Sequence, residues 1–473
     1  MLRWFGQIIL SIVFIGAVRG AESNPLLDCI DPEVRLERSP LPEDQNAFTY
    51  WQKAANAFVP LADADKELFD RLTIGNLPIS INADEFKRSE NWLARNDVSL
   101  KFLETGILCS ECRFPIMKAL EEIRPYLNSL RSLARLKIAR SVLLRLKTEH
   151  AQSLNEILDV IKTGELIGNA GGLTDYCLGY AIQRIGLDAL QRTANCGEVP
   201  EKYLQRAFKA ISAKSNQDED FANACRGDFY AFFYEPCRQI PDHTALPETQ
   251  VLVVSELFST DVSSSLLQHH PKPLDPRSTI SLASSYFAAI IRQSRLPFQH
   301  RSKVTEQRFE NDKRAWNEEW ISCFEKVSAK KKDKRDLTRE DRIQVERDLA
   351  KIENPLGKMM TFLIIPVSFT LTRQPVSLAT ARETTRTLLA IRIYERRNET
   401  LPRSLERLVE NGILKSVPVD PYSEKPLLYS RQKRLIWSVG EDDIDHGGDG
   451  NTKTHFEGKD YVREIPQIIK AAH

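Results

Sequence analysis

What the chain lacks narrows it first. Its 473 residues include only 20 glycines and four methionines, which excludes Gly-rich repeats and a Met-rich adaptable surface. The net charge is +1, so no global field favours nucleic acid or an anionic membrane as a partner. There is no H-E-x-x-H, no G-x-S-x-G and no Walker loop, and so no complete catalytic motif. Past the N-terminus no apolar run reaches spanning length, since 359–369 is short and broken by Pro366. What is present fits a folded protein: 42% apolar and 28% charged residues, with length enough for two or three domains.

The N-terminus reads as a targeting segment. Met1, Leu2 and Arg3 give a basic start, 4–18 is apolar, and Val18 and Gly20 suit a cut before Ala21. A signal peptide over 1–20 implies a secreted or periplasmic protein. The competing reading is an uncleaved anchor over 4–18, the one case in which the membrane is a partner. Export permits disulfides among the eight cysteines, and the local pairings are Cys177–Cys196 and Cys225–Cys237. Cys109-Ser110-Glu111-Cys112 is open to three uses. A structural disulfide is one, and zinc would need a second ligand pair. A redox pair would need a βαβ context, whereas the flanks look helical.

Organisation follows from periodicity. Residues 21–46, rich in Pro, Asp and Glu, read as an exposed lead-in, and 47–372 as a helical domain. Leu120, Ile123, Leu127, Leu130, Ala134, Ile138 and Val142 lie at gaps of three and four, one stripe on one helix face. Leu154, Ile157, Leu158 and Ile161 make a second stripe that reads as stopping at Gly164, with a loop over 168–172. Leu178, Ile182, Ile185 and Ala189 make a third. Short helices on short connections predict irregular antiparallel hairpins, bundle- or solenoid-like, without a fixed repeat period. The basic run 330–335 mixes with Asp and Glu and reads as solvated, as does His269-His270 in its Pro-rich surroundings. Ser328 and Lys331 fit S-x-x-K by letter alone, and Trp51, Trp92, Trp316 and Trp320 read as helix packing.

The C-terminal unit, 376–473, changes character. A helical stripe through Leu378, Ala381, Leu388 and Ile391 ends at Leu401-Pro402. A short helix over 405–412 closes on Gly412, and 427–430 with 434–439 read as a β-hairpin. The expected fold class is therefore mainly α with a small C-terminal α+β module. Asp420-Pro421, Pro426-Leu427, Tyr429, Ser438-x-Gly440-x-Asp442 and Gly447-Gly448-x-Gly450 follow in order. This set resembles the globular part of the major pseudopilin of type II secretion, over under a fifth of the chain. The whole layout also resembles large exported helical bacterial proteins of uncharacterised activity.

The pseudopilin resemblance implies calcium in the last loop, matched here by Asp442 and Asp449. The module lacks the adjoining N-terminal polymerisation helix of that family, so a fibre is not implied. Read from the residues, Glu441, Asp442, Asp443, Asp445 and Asp449 supply carboxylates, and Gly447, Gly448 and Gly450 let the backbone curl. The alternative is an acidic, Gly-rich surface turn. An EF-hand is excluded, because no Glu closes a twelve-residue frame from Asp443 or Asp445. The expectation is an exported, non-enzymatic helical scaffold for protein partners in the cell envelope. Calcium is its candidate cofactor, at Asp442, Asp443, Asp445 and Asp449. A hydrolase with a site in the helical domain and an accessory of a secretion machine are the alternatives.

Overall fold

A computed structural model describes residues 26–36, 41–75, 79–114, 120–212, 217–238, 274–328, 338–349, 351–450 and 460–467. The 1–20 segment, His269-His270 and the basic run 330–335 lie outside them. The protein is mainly helical, with one small antiparallel sheet at the C-terminal end.

The first helices are α1 (Ala47–Asn56), α2 (Lys66–Ile74), α3 (Ala83–Arg95), α4 (Asp97–Ile107), α5 (Leu120–Leu146), α6 (His150–Gly168), α7 (Leu173–Ala194) and α8 (Glu201–Ile211). Next come α9 (Gln217–Phe229), a π-turn over Tyr230–Tyr234, and α10 (Glu235–Arg238). The predicted stripe of α5 is the buried one, with Leu130, Ala134, Ile138 and Val142 in the core. Helices α6 and α7 make the closest hairpin, and glycine explains why. A Cβ on Gly179 would lie 2.4 Å from the Gly168 nitrogen, and one on Gly164 would lie 2.6 Å from the Gln183 nitrogen. The helix therefore does not stop at Gly164 but runs to Gly168. The glycine lets two backbones touch, and the loop is only 169–172.

A second set is α11 (Pro276–Ser294), α12 (Val304–Ser328), α13 (Arg339–Leu349) and α14 (Pro355–Leu371). Asn354-Pro355-Leu356-Gly357 is the joint between α11 and α14. Asn354, at φ 50°, accepts the Asp275 N–H at 2.9 Å and hydrogen-bonds Thr279 Oγ1 at 2.9 Å. Asp275 in turn caps α11 by accepting from the Arg277 and Ser278 N–H groups. The expected exposed lead-in is corrected here. Leu26, Ile30 and Val34, four residues apart, are buried against this set, and Asp31 pairs with Arg292 at 2.6 Å. Its apolar residues insert, while Asp31 and Glu33 are half-buried in ion pairs with Arg292 and Arg295.

The C-terminal unit opens with α15 (Gln374–Asn398), followed by α16 (Glu406–Glu410), β1 (Leu428–Ser430), β2 (Leu435–Ser438) and β3 (Tyr461–Glu464). The strand order is β1-β2-β3, with Tyr429 opposite Ile436 and Ile436 opposite Arg463. Helix α15 is packed on α7 and α8 and is buried along most of its length. Its threonines tolerate this because Thr380, Thr384, Thr385 and Thr387 each donate to a carbonyl one turn back. One apolar core thus joins α1–α8 to α15 and the sheet, and another joins 26–34, α9, α11 and α14. The 357–398 stretch also contains a window apolar enough to cross a membrane by length and composition, of which 39% is buried inside the protein.

The expected disulfides are corrected as well. Among the described residues Cys109, Cys177, Cys196, Cys225 and Cys237 are free thiols. Cys177 lies in α7 and Cys196 just past its end, which at helical rise separates them by roughly 28 Å. Cys225 and Cys237 stand along one continuous helical run, roughly 18 Å apart. A disulfide needs Cα atoms within about 7 Å.

Candidate functional site

The loop after β2 is organised by two buried aspartates. Asp420, of the Asp-Pro pair, accepts from the Tyr422 N–H at 2.9 Å, Ser423 Oγ at 3.1 Å, Ser438 Oγ at 2.7 Å and the Val439 N–H at 3.1 Å. The spacing of Asp420 and Ser438 along the chain is therefore a physical bond between a turn and the end of β2. Asp460 does the same further on, accepting from the His446 N–H at 3.3 Å and the Gly448 N–H at 2.8 Å. Burial pushes its carboxyl above the ordinary value, and those two N–H groups pull it back. Sequence reasoning missed Asp460. A short Asp-Tyr-Val pattern entering a strand was the available signal.

The four predicted ligands lie in this loop, and two of them are engaged with it. Asp442 accepts the Ile444 N–H at 3.1 Å. Asp445 accepts from Trp437 Nε1 at 3.0 Å and the Gly447 N–H at 2.7 Å. Asp443, at φ 55°, and Asp449 are exposed. His446 stands between Asp442 and Asp460, at 3.7 and 3.6 Å, and Lys433 Nζ donates to the Gly447 carbonyl at 2.6 Å. An imidazole and an ammonium thus occupy positions where a bound cation would compete with them. Among the described residues no three His, Cys, Asp or Glu side chains are grouped to hold a metal ion. The segment 451–459, which links the loop to β3, lies outside the described residues.

Beside the loop is an open cleft of about 340 Å³, lined by Phe298, Gln299, Tyr422, Gly440, Glu441 and Asp443. It lies where the connection between α11 and α12 meets the C-terminal unit. Phe298 and Tyr422 pack edge to face with ring centres 4.9 Å apart. Arg301 holds the connection in place, donating to the Thr372 carbonyl at 2.6 Å and the Ser294 carbonyl at 2.7 Å. Glu441 reaches back to α15, with Oε2 3.0 Å from Arg373 Nη1. Its Oε1 is buried and has no hydrogen-bond partner among the described residues. Burial raises its carboxyl above the ordinary value, Arg373 opposes that, and Asp442 adds to it.

Carboxylates also converge within the helices, and each set has a structural task. At the start of α7, Asp175 accepts the Gly172 N–H and Asp228 the Leu173 N–H, both at 2.9 Å. Burial raises Asp228 to about 7, against the Leu173 N–H and with help from Asp175. Glu165 pairs with Arg382. Asp220 nearby is raised to about 7, first by burial and then by Glu165. A cavity of about 10 Å³ beside His150 and Arg145 has room for about one water. Cys109 lies just past the C-terminal end of α4, where the helix dipole disfavours a thiolate, and burial raises it further. That placement works against the redox reading of the C-x-x-C.

The site is carried on a fixed base. Arg184 Nη1 of α7 donates to the Tyr461 hydroxyl at 2.5 Å, Arg463 pairs with Asp188 at 3.0 Å, and Arg392 donates to the Pro466 carbonyl at 2.7 Å. These bonds tie β3 and the chain after it to the helical core. Comparison with known protein families, with curated proteins and with solved structures gives no match.

Proposed function

We propose that the protein is an exported, non-enzymatic helical scaffold that holds protein partners at the face formed by the acidic loop and its cleft. One observation carries this reading. The loop is presented on a sheet anchored to buried helices by Arg184, Arg463 and Arg392, so an interaction surface stands on a rigid support. The convergent carboxylates of the helices are engaged as helix caps and an ion pair, which favours a structural account of them over a hydrolase. A second reading, an accessory of a secretion machine, is favoured by the order of elements: long helix, short helix, two paired strands, acidic loop, third strand. Calcium at Asp442, Asp443, Asp445 and Asp449 belongs to the same proposal as a weak extracellular site, with a dissociation constant of roughly 10⁻⁴–10⁻³ M.

The test uses the full chain, tagged at its C-terminus and produced in a host that exports it. The mature protein should begin at Ala21, and partner capture should fall when Asp442, Asp443 and Asp449 are changed together to Asn. Added calcium should raise the melting temperature of the wild type and not of that variant. A cytosolic product with its N-terminus intact, or capture indifferent to the triple change, overturns the scaffold reading. Secretion components among the captured proteins select the accessory reading.

A further inference from the structure

We infer that the small cavity bounded by the end of α5, by α7 and by the first turns of α6 and α8 is a binding site for a halide ion, with chloride its natural occupant. The site lies apart from the acidic loop and does not depend on the scaffold reading.

Arg145 carries the inference. It stands in the last turn of α5, is 7% exposed and lines the cavity. Its one ion-pair contact among the described residues is Glu198 Oε2, 4.0 Å from Nη1 and beyond hydrogen-bond reach. Glu198 is itself exposed, so solvent weakens the pairing. The guanidinium nitrogens of Arg145 donate no hydrogen bond among the described residues, yet none of them is sealed off, so an acceptor in the cavity can reach them. A guanidinium held this far from water without an acceptor is costly, and a small anion supplies the missing one.

The surroundings favour negative charge. Helix α6 begins at His150 and α8 at Glu201, and neither N-terminus has a side-chain cap. His150 and Ser153 of α6 and Tyr203 of α8 line the cavity, so two positive dipole ends meet beside Arg145. Arg192 of α7 adds a second guanidinium nearby. Burial holds it below its ordinary value; Asp188 opposes that, and Arg145, as a like charge, adds to it. Thr193 brings a hydroxyl to the same cavity, and the remaining walls are apolar and offer nothing to a cation. The volume of about 10 Å³ is room for about one water-sized centre, which fits a single-atom anion and is too small for a tetrahedral oxyanion.

The experiment records the chlorine NMR linewidth of sodium chloride with the full chain present, at constant ionic strength made up with sodium gluconate. Wild type should broaden the signal, and Arg145→Gln should lose that excess. Arg403→Gln, the same charge change at an exposed position, should broaden it as wild type does. Glu198→Gln removes the competing carboxylate from an exposed position and should tighten chloride binding severalfold. Bromide should displace chloride and narrow the signal, whereas sulfate at matched ionic strength should not. No excess broadening in wild type means that the cavity holds water alone and overturns the inference, as does equal broadening in wild type and Arg145→Gln. Sulfate competing as well as bromide overturns the halide assignment. If Arg145→Gln does not fold, Glu198→Gln decides, and no gain in its affinity over wild type overturns the inference.

Discussion

Replacing Asp228 by asparagine should stabilise the protein at high pH and leave it unchanged at low pH. The residue caps α7 through an oxygen that asparagine also carries, so the 2.9 Å bond from the Leu173 N–H is retained. What the change removes is a buried negative charge. Asp228 is raised from its ordinary value of 3.8 to about 7, chiefly by burial, with Asp175 as a like-charged neighbour. A group raised in the folded state binds its proton more tightly there than in the unfolded chain. Stability therefore falls as pH rises from about 4 to about 7, and stays lowered above that. The full difference corresponds to about 4 kcal/mol. Some exposed surface at Asp228 reduces this to about 2–3 kcal/mol. Urea unfolding of wild type and Asp228→Asn at pH 4, 6 and 8 should show the curves together at pH 4 and separating upward for the variant by pH 8. A variant less stable than wild type at pH 8 would refute the reasoning, because it would mean that the charge itself holds α7.

Two further outcomes follow from the packing. In Gly357→Ala the new methyl would lie 2.0 Å from Thr279 Oγ1 and 2.4 Å from Asn354 Nδ2, so the α11–α14 joint must open at a cost of about 1–3 kcal/mol. An unchanged urea midpoint for that variant would show that the joint is loose. Denatured without reductant, the protein should titrate at least the thiols of Cys109, Cys177, Cys196, Cys225 and Cys237, whereas the native protein should react slowly, since burial pushes Cys177 to about 11 and Cys237 to about 12. Fewer than five reactive thiols in the denatured chain would restore the disulfide expectation.

Much of the fold was legible because it rests on local signals. The stripe through Leu130, Ala134, Ile138 and Val142 marked the buried face of α5, and Gly412 takes the left-handed backbone at φ 69° that ends α16. The hairpin was readable from two short apolar runs. Misreadings arose where one residue type serves two purposes. Gly164 resembles a stop signal, yet it is the contact that lets α6 lie against α7. Cysteines close in sequence looked like pairs, but a helix carries them apart. At the candidate site the aspartates were visible as a cluster, while their uses were not. Asp445 and Trp437 bond each other, and Asp460, from beyond the loop, completes it. The cleft was invisible because Phe298 and Tyr422 are far apart in the chain.

The place of α15 shows why a sequence boundary need not be a physical one. The composition shift near Pro375 is real, since an apolar helix ends and a new amphipathic one begins there. Yet an amphipathic helix specifies only that it needs cover, not which segment provides it. The cover for α15 comes from α7 and α8, nearly two hundred residues earlier, through contacts such as Gln191 Nε2 to Thr385 Oγ1 at 2.6 Å. Its fully buried Arg392 gives the clearest case. A guanidinium there requires Asn195 from the helical part, Glu395 from its own helix and the Pro466 carbonyl from beyond β3. Removing any one leaves a buried charge short of partners, which is far costlier than never burying it. The helical part and the C-terminal strands are thus joined at a residue that belongs to both. The acidic loop and its cleft therefore inherit their rigidity from helices that the sequence alone had assigned to a different unit.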